Sequence, residues 1–262
     1  MLELYHAASS VCSQKARIAL AEKGLEWQSH LIDLGKGEQF APAYLRLNPE
    51  AVVPTLVHDG MVIRESSLLC EYVDRLSATN PLMPREIGAE FTTRLWLLRC
   101  ISIHEAINSV SFATLMRDRE RAARTPQETE AALARIPNPQ VRAKRRDVYL
   151  NGPDSVFVQG ALHVLRRQFE DMAEALARSA WLAGAEYGLA DTALLAYVDR
   201  LDRLGMEGLW QKKYAAVGTW LAASKQRPSY ATAISAYISP EDAAATRKIG
   251  AAYWPQIEAL WE

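Results

Sequence analysis

The stretch Ala7-Ala8-Ser9-Ser10-Val11-Cys12-Ser13 gathers three hydroxyls and one thiol between a strand-like segment and a helix-like one. A thiol reacts as its thiolate, and the first turn of a helix is where the helix dipole favours negative charge. Serines in that turn cap the helix or donate to a bound anion. Ser9, Ser10, Cys12 and Ser13 are therefore candidates for supplying or stabilising a nucleophilic sulfur. A second stretch, Val52-Val53-Pro54-Thr55, sets proline at the start of a strand, where its missing N–H is tolerated. An X-Pro bond is cis at modest cost, and a cis bond here turns the N–H and C=O of Val53 outward, free to pair with an extended peptide. Glu65-Ser66 then opens a helix whose N-terminus attracts a carboxylate. Together these residues could grip a small peptide by its backbone and its terminal carboxylate.

The elements that must position them differ between the two halves of the chain. "MLELYHA" alternates apolar and polar residues as a strand does, and "SQKARIALAEKGLEW" crowds Ala16, Ile18, Ala19 and Leu20 toward one helical face, with a stop at Gly24. "WQSHLIDL" is a second strand. "PTLVHDGMVIR" forms two more, joined by a hairpin at Asp59-Gly60, and "ESSLLCEYVDRLS" has helical spacing. The order β-α-β-(α)-β-β-α predicts an α/β domain over residues 1–80. The prolines of "ATNPLMPREIGAE" mark a linker over 81–88, and residues 89–262 read as an all-helical domain. Within it "EFTTRLWLLRCISIHEAINSVSFATLMRDRERAAR" forms one long helix. "RIPNPQVRAKRRDVYLNGP", with three prolines, contains a loop, and its "RAKRR" run reads as a solvated basic face.

Bulk properties exclude several functions. Over 262 residues the chain is 49% hydrophobic and 23% charged, with a net charge of −1, so nothing in its charge favours nucleic acid or a membrane surface. It shows no signal-peptide pattern and no apolar run long enough to span a bilayer. Cys12, Cys70 and Cys100 are too far apart in sequence for a CxxC or zinc pattern, so no metal is expected and a reducing cytoplasm is the default location.

The landmarks "VVPTL", "ESSLLCEYV", "ARIALAEKGLEW", "LADTALLAYVDRL" and "WLAASKQRPSY", in this order, give the chain a resemblance to the glutathione transferases along essentially its whole length. The resemblance implies a thioredoxin-like domain followed by a helical substrate domain, glutathione as cosubstrate, and a homodimer. It implies that Val53, beside Pro54, holds the cysteinyl part of glutathione, that Glu65 and Ser66 hold its γ-glutamyl end, and that Gln39 and Lys36 reach its glycyl carboxylate. Ser10 falls where serine- and cysteine-type members carry their active residue, ahead of Ser13 as thiol activator. Cys12 falls where one bacterial class carries a cysteine. Tyr5, inside the first strand, is less suited than the loop hydroxyls. Gly188 stands where the helical capping motif often has serine or threonine.

His104, Asn108, Ser111 and Phe112 are candidates for contacting the electrophile. The spacing of "LIDLGKGEQFAPAYLRLNP" and the proline-rich insertion resemble the bacterial β-etherases and related fungal enzymes. That likeness implies glutathione-dependent cleavage of β-aryl ethers in lignin-derived α-keto aromatics. The alternatives are general detoxifying conjugation of aromatic electrophiles, a Cys12-dependent thiol transferase or reductase, an isomerase whose serine-serine-cysteine pattern Val11 interrupts, and a non-catalytic binding module.

Overall fold

The computed structural model describes residues 1–262. Strands β1 (Leu2–His6), β2 (Gln28–Leu31), β3 (Thr55–His58) and β4 (Met61–Ile63) form one sheet in the order β2-β1-β3-β4. β1 runs parallel to β2 and antiparallel to β3, and β3 runs antiparallel to β4. The β3–β4 turn is Asp59-Gly60, both with positive φ, which is the geometry that twists two strands into a tight hairpin. Helix α1 (Val11–Glu22) forms the crossover between β1 and β2. Short α2 (Pro42–Leu47) precedes β3, and α3 (Ser66–Arg75) follows β4. α1 lies buried between α3 and the helical half, so its polar residues Lys15 and Arg17 are also buried.

The segment after α3 is tied down by Asp74. Its carboxylate accepts the N–H groups of Leu82 and Met83 and pairs with the buried Lys23 at 2.9 Å. Helix α4 (Ile87–Ser111) then runs for 25 residues, and a π-helical turn over Phe112–Met116 joins it to α5 (Arg117–Ala123). The long helix expected here is thus continuous but carries one irregular turn, a feature frequent at functional sites.

The proline-rich insertion contains the expected loop as one short turn between two helices. Only the short turn before Pro139 is irregular; on either side lie α6 (Pro126–Ala134) and α7 (Pro139–Asn151). Each has proline at its first position, where no N–H is needed, and a side-chain cap, from Thr125 and Asn138 respectively. Prolines that break a helix interior here begin two helices. α8 (Val156–Arg178), α9 (Leu189–Arg203), α10 (Gly208–Gln211), α11 (Ala215–Lys225), α12 (Pro228–Ala233), α13 (Pro240–Ala251) and α14 (Trp254–Trp261) complete the chain. One continuous apolar core extends from β1 to α14 through α1, α4, α8 and α9.

α9 is the hub of that core: every residue from Leu189 to Leu201 is buried. Its start shows why glycine replaces a hydroxyl cap. A Cβ on Gly188 would meet the backbone oxygen of Leu82 at 2.7 Å, and that oxygen accepts the N–H of Leu189. Asp191 does the capping instead, accepting the N–H groups of Gly188 and Leu182 and the indole N–H of Trp220 at 2.8–3.0 Å. Burial still pushes its carboxyl up to about 6. Asp191→Ala orphans three buried donors, and urea denaturation should show a loss of roughly 3 kcal/mol or more.

Candidate active site

The loop between β1 and α1 is held by two buried arginines from opposite directions. Arg17, in α1, donates to the carbonyls of Ala7 and Ala8 at 3.1 and 2.9 Å and to Ala233 of α12 at 2.7 Å. Arg200, in α9, donates to the carbonyl of Ser9. With the loop so fixed, its side chains take distinct tasks. Ser10 is the α1 cap, its hydroxyl accepting the Ser13 N–H at 3.3 Å. Ser13 is fully buried and accepts the N–H of Ala7. Cys12 is partly exposed and faces the helical half.

There its Sγ lies 3.3 Å from Nδ1 of His104, on α4. The other ring nitrogen of His104 lies 2.9 Å from the side-chain amide of Asn108, one turn further along. The Tyr197 hydroxyl, from α9, approaches Sγ to 3.8 Å. Burial pushes the Cys12 thiol up, but the charge and hydrogen bond of His104, with the charge of Lys15 and the hydroxyl of Ser66, reverse this and bring it to about 6. The shift is reciprocal. Burial lowers the His104 imidazole, and the thiolate of Cys12 more than restores it, so its net movement is upward. A thiolate–imidazolium pair oriented by an amide is the arrangement that makes a cysteine nucleophilic near neutral pH.

Lys15 supports this charge from behind. Its ammonium is buried, has no carboxylate in ion-pair contact, and donates to Ser67 at 2.8 Å and to Tyr197 at 3.5 Å. Burial opposes its charge, which the negative charge of the Cys12 thiolate and of Glu65 sustains. Burial pushes the Cys70 thiol itself up to about 12, so it stays protonated. Only one of the three cysteines is set up to react.

Of the residues expected to grip a peptide, Ser66 is the one whose hydroxyl acts on the Cys12 sulfur. The Val53–Pro54 bond is cis, and the N–H and C=O of Val53 make no hydrogen bond inside the protein. Glu65 precedes α3 with φ 63°, a conformation a non-glycine residue adopts at some cost and one that clusters at functional sites. Ser66 is the first residue of α3. Gln39 has a buried, unpartnered Oε1. Lys36 is exposed and pairs with Asp33 at 3.2 Å.

Lys36 and Gln39 also line a cavity of about 380 Å³ closed on its far side by Phe112, Glu120, Arg124 and Arg145. Arg124 and Arg135 of the insertion donate to the carbonyls of Gly35 and Gly37, fastening the insertion to this loop. Of the candidates on α4 and the turn that follows it, His104 meets Cys12, Asn108 meets His104, Phe112 reaches the cavity, and Ser111 is buried with its hydroxyl unpartnered. Tyr5 stacks flat on His30, with ring centres 4.3 Å apart. Tyr197, Lys15 and Arg145 were not anticipated. Tyr197 and Lys15 sit among apolar residues of helical period and read there as core or surface.

The fold agrees with what known proteins show. The profile described as "Glutathione S-transferase, N-terminal domain" matches residues 9–76, and the corresponding C-terminal profile matches residues 130–223. The chain belongs to the glutathione transferase family. It is 28% identical over 245 residues to Protein LigF of Sphingobium sp. strain SYK-6, covering 87% of this chain and 91% of that one. It is 25% identical over 249 residues to the tetrachloro-p-hydroquinone reductive dehalogenase of Sphingobium chlorophenolicum, covering 88% and 95%. Among solved structures, the crystal structure of the β-etherase LigF superposes with a TM-score of 0.80 at 25% identity, covering 90% of this chain and 99% of that one. Glutathione transferase F7 from Populus trichocarpa, at 20% identity and TM-score 0.68, shares the fold.

The titration of Cys12 checks the thiolate pair. Alkylation by iodoacetamide should follow a midpoint near pH 6 in the native protein. In His104→Gln the midpoint should rise by more than one unit, toward the ordinary thiol value of about 8.5. Ser10→Ala should lower stability by about 1 kcal/mol through loss of the cap, with little change in the titration.

Proposed function

We propose that this glutathione transferase works through Cys12, as a glutathione-dependent thiol transferase or reductase. The observation that carries this reading is the 3.3 Å approach of Cys12 Sγ to His104 Nδ1, with the Ser66 hydroxyl acting on the same sulfur. In this reading residues 1–80 bind glutathione and the helical residues 89–262 bind its partner, across the linker 81–88. Val53 pairs with the backbone of the tripeptide, Glu65 and Ser66 hold the γ-glutamyl end, and Gln39 and Lys36 hold the glycyl carboxylate. The Cys12 thiolate attacks the glutathionyl sulfur of a mixed disulfide. The sulfur–sulfur bond breaks and the substrate leaves as a thiolate, which takes its proton from His104. A second glutathione then attacks the glutathionyl sulfur on Cys12. Oxidised glutathione departs and the Cys12 thiolate is restored. Ser10 and Ser13, engaged as cap and loop brace, serve this chemistry by holding Cys12 in place.

A second reading is cleavage of β-aryl ethers in α-keto aromatics, supported by the TM-score of 0.80 to LigF over nearly all of that chain. There the glutathione thiolate attacks the carbon beside the ketone, the ether carbon–oxygen bond breaks, and His104 protonates the departing phenolate. The same variants separate the two. Under the first reading, glutathione-dependent reduction of a glutathionylated peptide is lost in Cys12→Ala and falls at least about 100-fold in His104→Gln near neutral pH. Under the second, release of a fluorescent phenol from a β-aryl ether ketone survives Cys12→Ala and falls in His104→Gln. Neither activity, in a protein that still binds glutathione, would leave general conjugation of aromatic electrophiles. Failure to bind glutathione would leave a non-catalytic module.

We also propose a homodimer. Ile87, Phe91, Leu95, Leu98 and Ile101 form an exposed apolar stripe along α4, and Leu68 of α3 is likewise exposed. Phe91 is 65% and Leu98 68% exposed, more than an unpartnered helix face normally leaves in contiguous array. Sedimentation should give the mass of two chains for the native protein and of one for the folded double variant Phe91→Lys/Leu98→Glu.

A further inference from the structure

The basic run Arg142-Ala143-Lys144-Arg145-Arg146 is divided by α7 into different environments. Lys144 pairs with Glu105 and Arg146 pairs with Glu130, both near the surface. Arg145 turns inward. Its guanidinium lies over the ring of Phe112, 3.0 Å from the centroid, and lines the cavity between the insertion and the Lys36–Gln39 loop. Among the hydrogen bonds and ion pairs of the protein it has none. Glu120 and Glu105 act on it through their charge, and neither is in hydrogen-bond or ion-pair contact with it. The guanidinium is half-buried, and desolvation holds it below its ordinary range, near 10, so it faces the cavity as a cation with no anion in contact. Such a group is one half of an ion pair whose other half arrives with a ligand.

The position of the cavity says what that ligand is. His104, Asn108 and Phe112 occupy successive turns of α4, so one helix face leads from the Cys12 sulfur to the ring beneath Arg145. At ~1.5 Å per residue that path is about 12 Å along the axis. The span suits an aryl group joined to sulfur through a short linker. Phe112, Phe40 and Tyr149 supply flat apolar walls for its ring, and the planar guanidinium matches a carboxylate in two-pronged fashion.

Resting on the glutathione transferase reading, we propose that the electrophile taken by this protein is an aromatic carboxylate. Its ring lies against Phe112, and its anionic end is held by Arg145.

Two glutathione thioethers test this by calorimetry, S-phenacylglutathione and S-(4-carboxyphenacyl)glutathione, with glutathione alone as reference. The native protein should bind the carboxylated thioether about tenfold or more tightly than the plain one. Arg145→Met and Arg145→Gln should bring that ratio to about one while leaving glutathione affinity unchanged. Equal binding of both thioethers to the native protein overturns the proposal, as does a preference that survives in the variants. If both variants lose affinity for all three ligands alike, Arg145 belongs to the glutathione site itself and the proposal is equally overturned. If the native protein binds neither thioether nor glutathione, the transferase reading falls, and this inference with it.

Discussion

The Cys12 thiol is brought down to about 6 because a histidine from the other half of the chain reaches it. Its place in the first turn of α1 is not sufficient, since burial there works against a charged sulfur. The contact with His104 reverses the balance, and it exists only if α4 lies against α1 in one register. Much of the surrounding structure serves that register. α9 is buried along its length between the two halves, Lys15 and Tyr197 fill the space behind the sulfur, and Ser67 of α3 donates to the carbonyl of Leu97 on α4. The site belongs to the packing of the helical half against the sheet domain and to neither part alone.

Buried cations recur around this centre. Lys15, Arg17 and Arg200 all lie within or beside the core, where isolated charges are expensive. Arg17 is satisfied by three carbonyls, and Arg200 fixes Ser9 by donating to its carbonyl. Lys15 has only hydroxyls as partners, and its compensation is the negative charge of the sulfur it faces. Two cations thus set the loop and a third sets its field. The division explains why serines near a reactive cysteine need not be reactive themselves, since Ser10 and Ser13 bond to backbone N–H groups of the same loop and helix.

Local chemistry was legible in the sequence. Asp59-Gly60 gives its hairpin and Glu65-Ser66 its helix start because each depends on neighbouring residues alone, whereas the cis bond before Pro54 followed only from the family resemblance. The order of elements followed, and with it the family. Two things were not legible. Cys12 and His104 are 92 positions apart, and which face of α4 meets α1 is decided by the apolar residues of α8 and α9 as much as by α4. Arg145 lies in a run of like residues, and only the packing of α7 over Phe112 separates it from its solvated neighbours. The helix that starts at Pro139 was not legible for a different reason, because proline forbids a helix interior and favours a helix start, and composition does not distinguish the two positions.

The hydrogen bond from Arg17 to Ala233 carries a consequence for how the protein comes into being. Residues 7 and 8 are positioned by a guanidinium whose third partner lies 216 positions downstream, on α12. During synthesis the sheet domain leaves the ribosome long before that carbonyl does. Until α12 arrives, the nascent first domain holds an arginine with one N–H still unpaired, although the imidazole of His104 on α4 has already been made. The loop that carries Cys12 is therefore fully braced only once α12 has folded against it.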